Sequence, residues 1–95
     1  MASLLSSTEL EQFLDGQPEW TGSGAELIRT VTFDTFPAAI EAVTRVASAA
    51  EAVNHHPNID IRWRKVTFTL STHSEGGVTE LDTALARTIN QIAAN

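Results

Sequence analysis

Apolar residues along this chain recur at two periods, one near 3.6 and one near 2, and the switches between them lay out the elements. Leu10, Phe13 and Leu14 fall at i, i+3, i+4, which predicts a short helix with those three on its buried face. Ser6 with Glu9, or Thr8 with Glu11, has capping-box spacing at its start, and Gly16 and Pro18 end it. Glu19-Trp20-Thr21 opens a first strand, Gly22-Ser23-Gly24 is a turn signal, and Leu27 to Phe33 is a second strand rich in β-branched residues. Together these predict a hairpin.

The strongest helical signal follows. Phe36, Ile40, Val43, Ala47 and Ala50 recur at helical spacing, and Ala39, Val46 and Val53 widen the stripe. The expected helix runs from about Phe36 to Val53. Asp34 or Thr35 caps it, Pro37 stands in its first turn, and Pro57 lies beyond its end. In the next segment Ile59, Ile61 and Trp63 alternate with polar residues, and then Val66, Phe68 and Leu70 do the same in the opposite parity. One regular strand cannot keep both sets on one face. Either a bulge or turn falls at Arg64-Lys65, or the two halves bury opposite faces.

Gly76-Gly77 predicts a tight turn, with room for a ligand to approach the backbone closely. Thr79 and Asp82 have capping-box spacing for a last helix, whose inner face carries Leu81, Leu85, Ile89 and Ile92. The order helix, two strands, helix, two strands (or one bent strand), helix implies an α+β domain spanning residues 1–95, with helices on one face of an antiparallel sheet.

Ninety-five residues make one small domain, and 42% apolar with 19% charged residues is ordinary globular composition. No cysteine is present, so disulfides, thiolate catalysis and thiolate metal sites are excluded together. A formal charge of -6 argues against nucleic acid and against an anionic membrane surface as partners. No apolar run approaches the roughly 20 residues that span a bilayer. Met1 to Ser7 lacks the basic start of a signal peptide, and the expected location is the cytoplasm.

All three histidines sit in two polar junctions: His55-His56-Pro57 after the long helix, and Thr72-His73 before Gly76-Gly77. Imidazole titrates near neutrality and suits proton transfer. Glu51 and His55 are at i, i+4, so a continuing helix would bring them face to face, while His56 diverges by about 100°. Pro57 restrains the backbone beside them. A fold-back at Arg64-Lys65 would return the second junction to the same end of the sheet as the first. The plainer alternative makes His55 and His56 helix-terminal capping residues and His73 a surface residue. A zinc site needs converging ligands at about 2 Å, and there is no HExxH or cysteine, so no metal is expected. No GxSxG elbow or P-loop is present. Asp82 is most simply the N3 partner of Thr79, and Trp20 and Trp63 are core or interface anchors.

The set Glu51-x-x-Asn54-His55-His56-Pro57, Val66-x-x-x-Leu70, Thr72-His73 and Gly76-Gly77-Val78-Thr79-x-x-Asp82 resembles the pterin-4a-carbinolamine dehydratase family. Trp20, Leu27-x-Arg29-x-x-x-Phe33, Phe36 and Ala38 fit its N-terminal half more loosely, and Val78 stands where many members have leucine. The resemblance implies a four-stranded antiparallel sheet with helices on one side, and association as homodimers or homotetramers through strands and helices. It implies loss of water from 4a-hydroxytetrahydrobiopterin to give the quinonoid dihydropterin, in recycling of that pterin, with no metal or other cofactor. Its catalytic residues would be His55, His56 and His73. Glu51 would hold an imidazole in place, with Pro57, Thr72 and Asp82 completing the substrate-binding wall. The competing reading is a non-catalytic module on the same fold, since some members are dimerisation partners of a transcription factor and others are assembly-type proteins.

Overall fold

Ser6 opens the first helix with both bonds of a capping box: its backbone N–H donates to Glu9 Oε1 at 2.8 Å and its Oγ accepts from Glu9 N at 3.1 Å. This is helix α1, Ser7–Gly16, and it buries Phe13 with Leu10 and Leu14 packed partly beside it. The computed structural model describes residues 2–94, so Met1 and Asn95 of the expected 1–95 domain lie outside the described residues.

Strand β1 is only Thr21–Gly22, shorter than the pattern suggested, and Trp20 before it is buried. The Trp20 indole N–H donates to Asn90 Oδ1 at 2.7 Å, which ties the approach to the sheet onto the last helix. Gly22 belongs to the strand and not the turn. A Cβ there would sit 2.3 Å from the Glu26 carbonyl oxygen, so the closing turn demands glycine. Strand β2 runs Leu27–Thr32. Thr35, not Asp34, caps helix α2 (Phe36–Ala52), its Oγ1 accepting from Ala38 N at 3.1 Å.

The parity flip after Trp63 is a hairpin. Strands β3 (Asn58–Arg62) and β4 (Lys65–Leu70) pair antiparallel, with Arg62 opposite Lys65, so Trp63-Arg64 is the turn, one residue earlier than expected. Ile59 then faces Phe68 and Ile61 faces Val66, which puts both apolar sets on one side. Trp63 leaves the alternation because it sits in the turn at φ 56. The sheet order is β1-β2-β4-β3, all antiparallel, and helix α3 (Glu80–Ala94) completes the chain. Leu27, Val31, Val66, Phe68 and Leu70 meet Ala39, Val46, Leu85 and Ile89 in the core. The alternate positions look outward; Thr30 and Thr67 bring their hydroxyls to 2.8 Å on that open face.

Two helical stripes are rotated from the expected ones. In α2 the buried residues are Ala39, Ala42, Val46 and Ala50, while Phe36, Ile40 and Val53 are exposed. In α3, Asp82, Thr83, Leu85, Ala86 and Ile89 are buried, and Leu81 turns out. A buried Asp82 holds the first turn of α3 in that rotation.

Candidate active site

Helix α2 ends in a Schellman closure, and that closure sets the direction of both neighbouring histidines. Asn54 takes the left-handed φ of 51. His55 N–H then bonds Ala50 O at 3.0 Å and Asn54 N–H bonds Glu51 O at 3.2 Å. The helix has already stopped at Ala52, so the i, i+4 relation expected between Glu51 and His55 does not exist. Glu51 Oε1 instead meets His56 Nε2 at 2.7 Å, out in solvent. His55 turns the other way, toward α3.

There its Nε2 lies 2.6 Å from Asp82 Oδ1, with the His55 side chain 11% exposed and that of Asp82 0%. The other carboxylate oxygen, Oδ2, accepts from Thr72 Oγ1 at 2.8 Å and from Thr79 N at 2.9 Å. Thr72 and Thr79 hydroxyls are 2.7 Å apart. Asp82 therefore does more than cap α3. Its bond to Thr79 N–H is the expected cap, and the same carboxylate braces the His55 imidazole. Burying a charge away from water is costly unless every acceptor lobe is used, and here both oxygens are engaged.

The β3–β4 hairpin explains how distant junctions meet. His55-His56-Pro57 leads into β3 and Thr72-His73 leaves β4, so the antiparallel register returns both to one end of the sheet. The His55–Asp82–Thr72 chain bonds the two junctions together. His73 begins a short 3-10 turn, His73–Glu75, and its imidazole is exposed without a hydrogen-bond partner among the described residues. Gly76 ends that turn at φ 78. Gly77 pairs with Thr72 and would place a Cβ 2.4 Å from Gly24 O, so the close approach at Gly77 is made by the chain's own backbone.

Of the expected site residues, His56, Glu51 and His73 are exposed, and Pro57 and His55 are half-buried. Thr72 and Asp82 are buried behind His55, where they brace the imidazole. Thr79 was legible only as a cap; two buried threonines and a half-buried histidine around one carboxylate have no periodic signature. Among the described residues, no three His, Asp or Glu side chains gather as a metal-binding group.

The family model for pterin 4 alpha carbinolamine dehydratase matches residues 3–92. The chain belongs to that family. A relative from Nocardia farcinica, itself provisionally assigned as a pterin-4-alpha-carbinolamine dehydratase, is 58% identical over 90 residues, 95% of each chain. One from Mycobacteroides abscessus with the same provisional assignment is 57% identical over 88 residues, 93% of this chain and 94% of the relative. A crystal structure from Brucella melitensis, described as a transcriptional coactivator/pterin dehydratase, matches with a TM-score of 0.89 at 35% identity, covering 94% of this chain and 97% of that one. A pterin dehydratase-like protein identified as a RuBisCO assembly factor in the alpha-carboxysome shares the fold, with a TM-score of 0.64 at 23% identity over 78% of this chain and 86% of that one. Among its described residues the chain has four antiparallel strands and three α-helices, the α+β architecture read above, and the Brucella melitensis structure matches it closely.

Proposed function

We propose that this chain removes water from 4a-hydroxytetrahydrobiopterin, giving the quinonoid dihydropterin, by histidine general acid/base catalysis in the recycling of that pterin. The observation that carries the reading is the anchored His55, braced by a buried carboxylate at the same sheet end as His56 and His73. A buried aspartate behind an imidazole is what a proton-transfer site needs, because it fixes ring orientation before substrate arrives. In the reaction the C–O bond at the 4a carbon breaks as a proton reaches the departing hydroxyl, which leaves as water. The neighbouring ring N–H loses its proton, and its electron pair forms the new C=N bond. Atoms and charge balance with two proton-transfer groups alone. His56 and His73 form the proton-transfer pair, and His55 binds the pterin or acts as acid. Glu51 steadies His56, Pro57 restrains the approach to β3, and Thr72 and Asp82 steady His55.

The test is a spectrophotometric assay on freshly generated 4a-hydroxytetrahydropterin. Wild-type protein is expected to accelerate its decay, and the His55→Ala, His56→Ala double variant is not. Decay at the uncatalysed rate with wild type would remove the dehydratase reading.

An exposed apolar face favours a second role. Phe36, Ile40, Ile61 and Trp63 line an open cavity of about 690 Å³ beside the edge strand β3, away from the histidines, and Trp63 is 84% exposed. A patch of this kind marks an association surface. We assign it to contact between copies of this chain, as a homodimer or homotetramer. The coactivator and assembly factor among the structural relatives make a foreign protein partner the alternative occupant. Capture of a stable partner by a chain without dehydratase activity would favour the non-catalytic module.

A further inference from the structure

We propose that Thr72 and Thr79 are positioning residues that hold His55 as the Nε2–H tautomer, leaving Nδ1 as the atom that trades protons with the substrate.

Donor counting carries this. A hydroxyl owns one hydrogen, and an aspartate carboxylate owns none. Asp82 Oδ2 faces Thr72 Oγ1 and Thr79 N–H, and Oδ1 faces the His55 ring, so three donors converge on one acceptor group. Thr72 spends its only hydrogen on Oδ2. The 2.7 Å contact between the two hydroxyls must then use the hydrogen of Thr79. Thr79 Oγ1 in turn accepts from Leu81 N at 3.2 Å. Every bond runs in one direction: from the first turn of α3 through Thr79 to Thr72, and from Thr72 into Asp82. With Oδ2 pinned by these donors, the carboxylate keeps Oδ1, an acceptor only, on the His55 ring, so Nε2 must bring the proton. Nδ1 of the neutral ring is left bare, and it has no hydrogen-bond partner among the described residues. No buried polar side-chain atom among the described residues lacks a partner, so the buried atoms of this network are all satisfied.

The consequence reaches the chemistry. If the hydroxyl chain is cut, Oδ2 keeps one donor and the carboxylate can rotate. The imidazole then samples both tautomers, and Nδ1 no longer presents one fixed form to the substrate. Thr72→Val removes the hydroxyl at nearly constant shape, Thr72→Ser keeps it, and Thr79→Val removes the distal hydroxyl while keeping the backbone N–H on Asp82.

The experiment is long-range ¹⁵N–¹H correlation of the histidine rings at a pH where His55 is neutral, on wild type and these variants, with turnover measured in parallel. Wild type is expected to show His55 with its proton on Nε2. In Thr72→Val the two ring nitrogen shifts should move toward each other, and kcat should fall about tenfold with KM within about twofold, since acid–base transfer supplies the step. Thr72→Ser restores both, and Thr79→Val gives a smaller change in the same direction. A proton on Nδ1 in wild type would overturn the proposal, and so would wild-type ring shifts and kcat in both valine variants. Should Thr72→Val not fold, the wild-type and Thr79→Val spectra still decide. The turnover arm rests on the dehydratase reading, but the ring spectra need no substrate. Absent activity with Nε2–H intact therefore removes that reading alone.

Discussion

His55 and Asp82 lie 27 residues apart in the chain and 2.6 Å apart in space. That contact joins the end of α2 to the first turn of α3 across the whole β3–β4 hairpin. It also gives the molecule a buried carboxylate whose partners come from the two polar junctions and from Thr79 at the start of α3.

Removing that charge leaves its donors stranded. In Asp82→Ala, Thr79 N–H and the Thr72 hydroxyl lose their acceptor inside the protein. Loss of such a buried partner costs about 1–3 kcal/mol, so the urea midpoint should fall by that equivalent with an unchanged slope. A midpoint equal to wild type would mean that water or a rearranged side chain replaces the carboxylate.

Glu51 behaves oppositely. Its pair with His56 is exposed, so Glu51→Gln should change stability by less than about 0.5 kcal/mol. Its effect should appear in kcat for pterin dehydration. Equal kcat in the variant would take Glu51 out of the mechanism.

His73 makes no side-chain hydrogen bond among the described residues and can be removed without disturbing the core. His73→Ala should lower the dehydration rate at least about tenfold while far-UV circular dichroism and melting temperature stay at wild-type values. Unchanged turnover would confine proton transfer to the His55-His56 junction.

Gly77→Ala tests the close crossing of two loops. The added Cβ would sit 2.4 Å from Gly24 O, against backbone that cannot swing aside. A destabilisation of about 1–3 kcal/mol is expected, as for overpacking in a core. Gly16→Ala is the control, because nothing lies within 4 Å of its Cβ position.

Trp63→Ser addresses association. Its ring is largely in solvent in the single chain, so the subunit fold should persist. Sedimentation velocity should show a smaller species than wild type at equal concentration. Equal sedimentation would move the contact between copies to another face.

Much of the fold could be read from local patterns. The Ser6–Glu9 box and the Thr35 cap, each one of two candidates, the length of α2 and the break marked by the parity flip each depend on residues within a few positions of one another. The Thr79–Asp82 bond was legible for the same reason. The presence of three histidines in two junctions, and their return to one sheet end, followed once the hairpin was allowed.

What the chain could not declare was rotation and partnership. Spacing showed that α2 and α3 each had an apolar stripe, but which stripe packed was set by tertiary contacts: Ala39, Ala42, Val46 and Ala50 went in, and Phe36 and Ile40 stayed out. Glu51 looked like the partner of His55 until a left-handed Asn54 closed the helix before it reached His55 and exchanged the pairings. Local hydrogen bonds and periodicity are decided within a turn or two of backbone, so sequence alone determines them. Asp82 beneath His55, with Thr72 and Thr79 filling its second oxygen, depends on three elements arriving together, and only tertiary packing makes that acceptor cheaper to bury than to solvate.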